Sequence, residues 1–137
     1  MVRKIAAGMM LLMLVGCGSA VVGVCEDGSG GIRLFGESVA KRYLTKGVSE
    51  YEAGNYVNAK TAFEGVLQNQ YATRYERLWA NKYMAFIYCI SGDQKTCADY
   101  FRRVLALSPD FELSAAEIGH PLWGPVFRNV KGGAAKR

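Results

Sequence analysis

The chain has 137 residues, half of which are hydrophobic, and a formal net charge of +5. This length allows one modest hydrophobic core and no more, so we expect a single folded domain. The basic excess is small and its lysines and arginines are scattered along the chain, which argues against a nucleic-acid partner.

The N-terminus has the features of a bacterial export signal. Arg3 and Lys4 form a positive start, and the apolar stretch 5–15 has the length of a signal core and is short for a bilayer span. The following Leu14-Val15-Gly16-Cys17 resembles the lipobox of bacterial lipoproteins. The resemblance implies that residues 1–16 are a signal peptide and that lipid is attached to the cysteine thiol.

An uncleaved transmembrane anchor is the alternative, because no charged residue occurs from Ile5 through Val24. Glycines and a serine interrupt this run, which favours the lipoprotein. In bacterial lipoproteins an aspartate after the lipidated cysteine usually retains the protein in the inner membrane, whereas Gly18 stands here. The resemblance therefore implies a lipid-anchored protein of the outer membrane that faces the periplasm. Residues 17–36 are predicted to be a flexible tether without regular structure, since they include the small, polar run 27–31.

From residue 37 the apolar residues recur with helical spacing, and four helices are predicted before Pro109. The third covers about 73–90 and ends in an uninterrupted apolar stretch, 83–90, which could also form a buried strand. The length of the whole segment favours a helix. The first and fourth helices show their apolar stripes most clearly: Val39, Tyr43, Gly47 and Tyr51 in the first, and Cys97, Phe101, Val104 and Leu105 in the fourth.

These four helices form two copies of one unit. A shift of 38 positions superimposes Gly54-Asn55 on Gly92-Asp93 and Phe63 on Phe101. The pattern resembles the tetratricopeptide repeat, whose period is about 34 residues. It implies an all-α domain over residues 37–131 that contains two tetratricopeptide-like helical hairpins. A generic pair of helical hairpins is the alternative.

The segment after Pro109 is predicted to cap the second hairpin. Ser114 and Glu117 have the spacing of a capping box that begins a short helix. Three later residues share one helical face: Trp123, Phe127 and Val130. A C-terminal capping helix would cover the apolar end of the repeats, and contact of this segment with a partner protein is the alternative. Residues 132–137 are predicted to be a disordered tail.

The same ending carries a closer family resemblance. Its motifs are Phe111-Glu112-Leu113, Gly119-His120-Pro121 and Trp123-Gly124-Pro125. Together with the lipobox and the repeats, they resemble the small TssQ-like lipoproteins associated with type VI secretion systems. The resemblance implies a protein-binding adaptor or assembly factor with partners among the envelope components of such a system. A lipoprotein that assists pilus or outer-membrane protein assembly is the alternative.

The sequence does not indicate catalysis. His120 is the single histidine, and although Glu117 is three residues away, no cysteine stands near it to complete a zinc site. No serine or cysteine lies in a nucleophile motif, and no glycine-rich loop of the phosphate-binding kind occurs. We therefore expect a protein that is not an enzyme and that binds no metal or cofactor.

Three cysteines remain besides the one in the lipobox. Cys89 and Cys97 flank the turn at Gly92, so a disulfide bond across this turn is one alternative. The repeat register instead directs Cys97 towards the neighbouring helix and Cys89 towards the inner surface, and we expect buried thiols. Cys25 has no evident partner.

The first helices of the two hairpins would line a concave surface of the kind that receives a peptide or a helix. By register, this predicted groove comprises Lys41, Leu44, Val48, Tyr51, Trp79, Lys82, Phe86 and Cys89. Alternatively, the C-terminal helix or the tether fills the groove from within the chain.

Overall fold

The computed structural model describes the backbone of residues 24–27 and 31–34, and residues 37–134. The predicted signal peptide, Cys17 and the last three residues lie outside the described part of the chain. The chain divides into two compact units, Met1–Gly36 and Glu37–Arg137. Within the described residues, no helix is long and apolar enough to cross a membrane.

The first unit contains a two-stranded antiparallel ribbon, β1 (Val24–Asp27) and β2 (Gly31–Leu34). Val24 pairs with Leu34, and Asp27 pairs with Gly31. The prediction of a tether without regular structure is therefore wrong for these two strands. Three residues connect the strands, and the Asp-Gly step where β1 ends is typical of hairpins. The prediction gave more weight to the small, polar composition of this stretch.

The second unit is all-α, as predicted. Over residues 37–134 it contains six helices, which are α1 (Val39–Glu52), α2 (Tyr56–Gln68), α3 (Arg74–Ile90), α4 (Gln94–Leu107), α5 (Ala115–Ile118) and α6 (Gly124–Ala134). The apolar stretch 83–90 is helical rather than a strand. The predicted start of α5 is also confirmed, because Ser114 and Glu117 form both hydrogen bonds of a capping box.

The two helical hairpins repeat one another at the offset of 38 residues. In the first turn Gly54 has a φ of 78°, and its N–H donates to the carbonyl oxygen of Tyr51 at 3.0 Å. In the second turn Gly92 has a φ of 84°, and its N–H donates to the carbonyl oxygen of Cys89 at 3.2 Å. A positive φ favours glycine, so both hairpins reverse direction through the same turn.

A glycine allows the two helices of the first hairpin to approach closely. A Cβ atom built on Gly47 of α1 would lie 2.5 Å from Cε1 of Phe63 in α2. Phe63 is fully buried, in a cluster that the first hairpin shares with α3. The ring therefore lies directly on the glycine backbone, and this contact sets the spacing of α1 and α2.

The C-terminal segment caps the second hairpin, as predicted. Phe127 of α6 packs edge-on against Phe101 of α4, with ring centroids 5.2 Å apart. The described helix α6 continues to Ala134, so the prediction of disorder is wrong for residues 132–134, and residues 135–137 lie outside the described part of the chain. Lys131 holds the last turn of α6 in place, since its ammonium group donates to the carbonyl oxygen of Phe111 at 3.0 Å and also pairs with Glu112.

Candidate partner-binding groove

Helices α1 and α3 run in the same direction and enclose a groove between them. Near their N-terminal ends the hydroxyl of Ser38 donates to Oε1 of Glu76 at 2.9 Å. Further along, the ring of Tyr51 packs edge-on against Tyr83, with centroids 5.1 Å apart. Between these contacts lies a cavity of about 550 Å³, which we call the open half-groove. It is lined by Lys41, Leu44, Thr45, Val48, Ser49, Glu52, Thr73, Tyr75, Glu76, Trp79 and Tyr83.

Four of the residues predicted for the groove line the open half-groove: Lys41, Leu44, Val48 and Trp79. Tyr51 lies beside it, between Tyr83 and Phe86, and contacts both of the clusters that form the core. Burial, reinforced by the neighbouring tyrosines, raises the pKa of Tyr51 to about 12. Its hydroxyl therefore stays protonated at neutral pH.

The prediction that Lys82 lines an accessible groove is wrong. Its side chain is only 2% exposed, and Nζ lies 2.7 Å from Oε1 of Glu117, at the end of α5. The same Nζ lies 3.8 Å from the centroid of the Trp79 ring. Burial lowers the pKa of Lys82, and the hydrogen bond and charge of Glu117 oppose this shift. Lys82 thus belongs to an ion pair that joins α3 to the C-terminal segment, with the lysine buried and Glu117 partly exposed.

Phe86 is also covered rather than accessible. It is 2% exposed, and the indole of Trp123 stacks on it with centroids 4.4 Å apart and an angle of 21° between the planes. The indole N–H donates to the carbonyl oxygen of Glu117 at 2.8 Å, and the ring of His120 stacks on Trp123. The C-terminal segment therefore fills the half of the predicted groove around Lys82 and Phe86, which we call the filled half-groove.

Three aromatic residues form a row on one face of α3, which we call the aromatic ladder, and the sequence predicted only one of them for the groove. Tyr75, Trp79 and Tyr83 follow one another at four-residue spacing, with centroid distances of 5.8 Å and 6.2 Å. Tyr75 is 65% exposed at the rim. Four-residue spacing places side chains on one helical face, so this signal was present in the sequence, but the repeat register gave weight to Trp79 alone.

The charged residues of the open half-groove differ in their pairing. Glu76 is 6% exposed and accepts hydrogen bonds from the Thr73 N–H at 2.7 Å, the Thr73 hydroxyl at 2.9 Å and Ser38. Burial raises the pKa of Glu76, but these donors outweigh it and leave the pKa below its usual range. Lys41 lies 3.6 Å from Glu37 in an exposed pair. Among residues 37–134, Glu52 has no ion-pair partner.

A disulfide bond connects Cys89 to Cys97, with Cα atoms 5.2 Å apart. The prediction of two buried thiols is therefore wrong. Both residues are almost fully buried in the core of the second hairpin. The register directed Cys89 towards the inner surface, but at the end of α3 the tight turn brings it to α4, within the usual Cα separation for a disulfide.

Within residues 37–134, no group of three or more histidine, cysteine, aspartate or glutamate side chains could hold a metal ion. The helices α1 and α3 create a concave, mainly apolar surface between them. Comparisons with protein-family models, with curated proteins and with solved structures gave no match to this chain.

Proposed function

We propose that this protein is a lipid-tethered adaptor that binds a segment of a partner protein in the open half-groove. The observation that carries this proposal is the groove itself, which no residue of the described helical domain covers. Leu44 and Val48 of α1 face Trp79 and Tyr83 of α3 across a cavity of about 550 Å³. These four side chains are half-buried, and aromatic and aliphatic side chains that converge in a concave site are typical of protein-binding surfaces.

The location proposed for the adaptor is the periplasmic face of the outer membrane. The lipobox around Cys17 and the glycine that follows it support this location. The bond between Cys89 and Cys97 adds an independent argument, because structural disulfides form and persist in oxidising compartments such as the periplasm. A short groove binds a partner through few contacts, and a lipid tether would offset this, since confinement to a membrane raises the local concentration of the adaptor near its partner.

The proposed context is a type VI secretion system, in which the adaptor would help to assemble or stabilise the envelope-spanning apparatus. This part of the proposal rests on the resemblance of the lipobox, the repeats and the C-terminal motifs to TssQ-like lipoproteins. The alternative context is pilus or outer-membrane protein assembly, which would use the same groove.

Capture from solubilised envelopes tests the adaptor and its context together. Ser49→Arg places a large side chain at an exposed position in the open half-groove. Thr61→Arg makes the same addition of charge at an exposed position of α2 outside the groove. We expect the unaltered chain and Thr61→Arg to capture components of the secretion apparatus, and Ser49→Arg to lose them. Capture of pilus or barrel-assembly components instead would support the alternative context, and capture unaffected by Ser49→Arg would refute the groove.

Fractionation tests the lipid anchor. Cys17→Ser removes the thiol that would carry the lipid, so we expect the variant to leave the membrane fraction while circular dichroism shows the same helical content. A variant that stays in the membrane fraction would favour the uncleaved transmembrane anchor.

A further inference from the structure

We infer that the open half-groove selects a partner segment that presents an aromatic side chain and, next to it, a basic side chain that pairs with Glu52. This inference rests on the proposed function, in which the groove binds a protein, and it specifies the chemistry of the bound segment. The filled half-groove supplies the first argument, because it shows what kind of segment the inner surface of α3 accepts.

The filled half-groove holds its occupant through two kinds of contact. Trp123 stacks on Phe86, and Glu117 pairs with the buried Lys82 at 2.7 Å. An aromatic ring thus lies on an aromatic ring, and a charge of the occupant meets the opposite charge of the wall. Stacked aromatic pairs contribute more than the area that they bury, and aromatic anchors are enriched among the residues that dominate interfaces. A complementary charge pair fixes the position of the bound segment.

The same aromatic surface continues from the filled half-groove into the open one. The ring of Phe86 lies 6.0 Å from that of Tyr83, which lies 6.2 Å from that of Trp79. Leu44 and Val48 of α1 form the opposite wall. The open half-groove therefore offers a partner the kind of aromatic platform on which Trp123 rests, with aliphatic side chains facing it.

The open half-groove calls for the opposite charge on its occupant, since the wall residue left unpaired within the described helical domain is acidic, whereas Lys82 of the filled half-groove is basic. Glu76 is already satisfied by three hydrogen bonds from within the domain, and Lys41 has Glu37 beside it. Glu52 is exposed, and unlike Glu76 it accepts no side-chain hydrogen bond and has no ion-pair partner among residues 37–134. A partner with a basic residue at this end would complete the pair, as Glu117 does for Lys82.

The groove also limits the length of the segment. Its α1 wall extends from Lys41 to Glu52, which spans about 16 Å at 1.5 Å per helical residue. An extended peptide of about five residues covers this distance at roughly 3.3 Å per residue. One aromatic and one basic residue within such a segment are therefore sufficient to contact both the ladder and Glu52.

Labelled ten-residue peptides on a neutral Ala/Gln background provide the test. The first contains Phe and Lys, the second Phe and Glu, and the third Lys without Phe. Each is titrated with the full-length chain in detergent, and binding is followed by fluorescence anisotropy. We expect the Phe/Lys peptide to bind about threefold to tenfold more tightly than the Phe/Glu peptide, as befits one partly exposed charge pair, and the peptide without Phe to bind most weakly.

Two Glu→Lys variants, which change the charge by the same amount, show whether Glu52 is responsible for the preference between the Phe/Lys and Phe/Glu peptides. Glu52→Lys should reverse the preference in favour of the Phe/Glu peptide. Glu64→Lys, at an exposed position of α2 outside the groove, should leave the preference unchanged. Ser49→Arg should weaken binding of all three peptides.

Several outcomes would overturn the inference. Equal affinity for the Phe/Lys and Phe/Glu peptides would show that Glu52 does not select the charge of the partner. Equal affinity for peptides with and without Phe would show that the aromatic residues of α3 do not bind an aromatic side chain. Binding insensitive to Ser49→Arg would place the peptides elsewhere, and no binding at millimolar concentration would reject the chemistry altogether. The proposed function fails separately, when envelope capture does not respond to Ser49→Arg.

Discussion

Breaking the bond between Cys89 and Cys97 should destabilise the helical domain strongly. The bond closes a loop with a sequence separation of 8 residues. In the chain-entropy model, a loop of this size contributes about 2.5 kcal/mol at 25 °C by restricting the unfolded chain. Because 1 kcal/mol shifts the melting temperature of a domain of about 100 residues by roughly 4–8 °C, reduction should lower the melting temperature by about 10–20 °C.

Thermal unfolding followed by far-ultraviolet circular dichroism measures this effect. The oxidised chain, the chain in reductant and a Cys89→Ala/Cys97→Ala variant are compared under one set of conditions. The reduced chain and the double variant should both melt well below the oxidised chain. Reductant should not shift the double variant further, and this comparison controls for effects of the reductant elsewhere in the chain.

Two results would refute the reasoning about the disulfide. One is a melting temperature that does not change on reduction, since the loop argument requires a loss. The other is rapid alkylation of both cysteines in the unreduced, unfolded protein isolated from cells, because a disulfide blocks that reaction. The first result would refute the energy assigned to the bond, and the second would restore the prediction of two buried thiols.

Three further predictions concern the packing and the acid stability of the helical domain. Gly47→Ala should lower the free energy of unfolding by about 1–3 kcal/mol in urea titrations, since the new methyl group meets the buried ring of Phe63. Gly65→Ala is the control and should be neutral or stabilising, because its methyl group meets the half-exposed ring of Tyr43 at 3.1 Å and alanine has the higher helix propensity. Because the pKa of Glu76 is lower in the folded chain than in the unfolded chain, its ionised carboxylate stabilises the fold, and this stabilisation should be lost as the pH drops below about 4.3. The melting temperature should therefore fall less between pH 7 and pH 3 for Glu76→Gln than for the unaltered chain, and an equal fall would contradict this. Trp123→Ala should lower the free energy of unfolding by about 3–5 kcal/mol, because it removes a buried stacked ring; a loss below 1 kcal/mol would show that the C-terminal segment is not a cap.

The helices and their pairing could be predicted because they depend on patterns that are local in the sequence. Gly54 and Gly92 lie in turns that require a positive φ. Each turn ends a run of helical spacing, and the two glycines are separated by the same 38 residues as the two hairpins. Ser114 and Glu117 fix the start of α5 through contacts three residues apart. Such features are encoded within a few residues, so they can be recognised without knowledge of the rest of the fold.

The extent of the groove could be predicted only in part, because it depends on a contact between distant segments. Periodicity assigns Trp79, Lys82 and Phe86 to one face of α3, but it does not show which part of that face another segment covers. The pair of Lys82 and Glu117 is 35 residues apart in sequence. A lysine within a largely apolar stretch does imply a counter-ion when it is buried, and this was the signal that could have located the cap.

The division of the inner surface also limits what the proposed adaptor could bind. The cap occupies the part of α3 around Phe86, so only a short stretch of α1 and α3 remains for a partner. Desolvated aromatic anchors contribute strongly to binding, but a segment of about five residues offers room for only one or two of them. The proposed lipid anchor on Cys17 would compensate for this, since confinement near the partner converts a weak contact into an effectively local one. Binding measured in solution should therefore be weak, and the same groove should act efficiently only when the chain and its partner share a membrane surface.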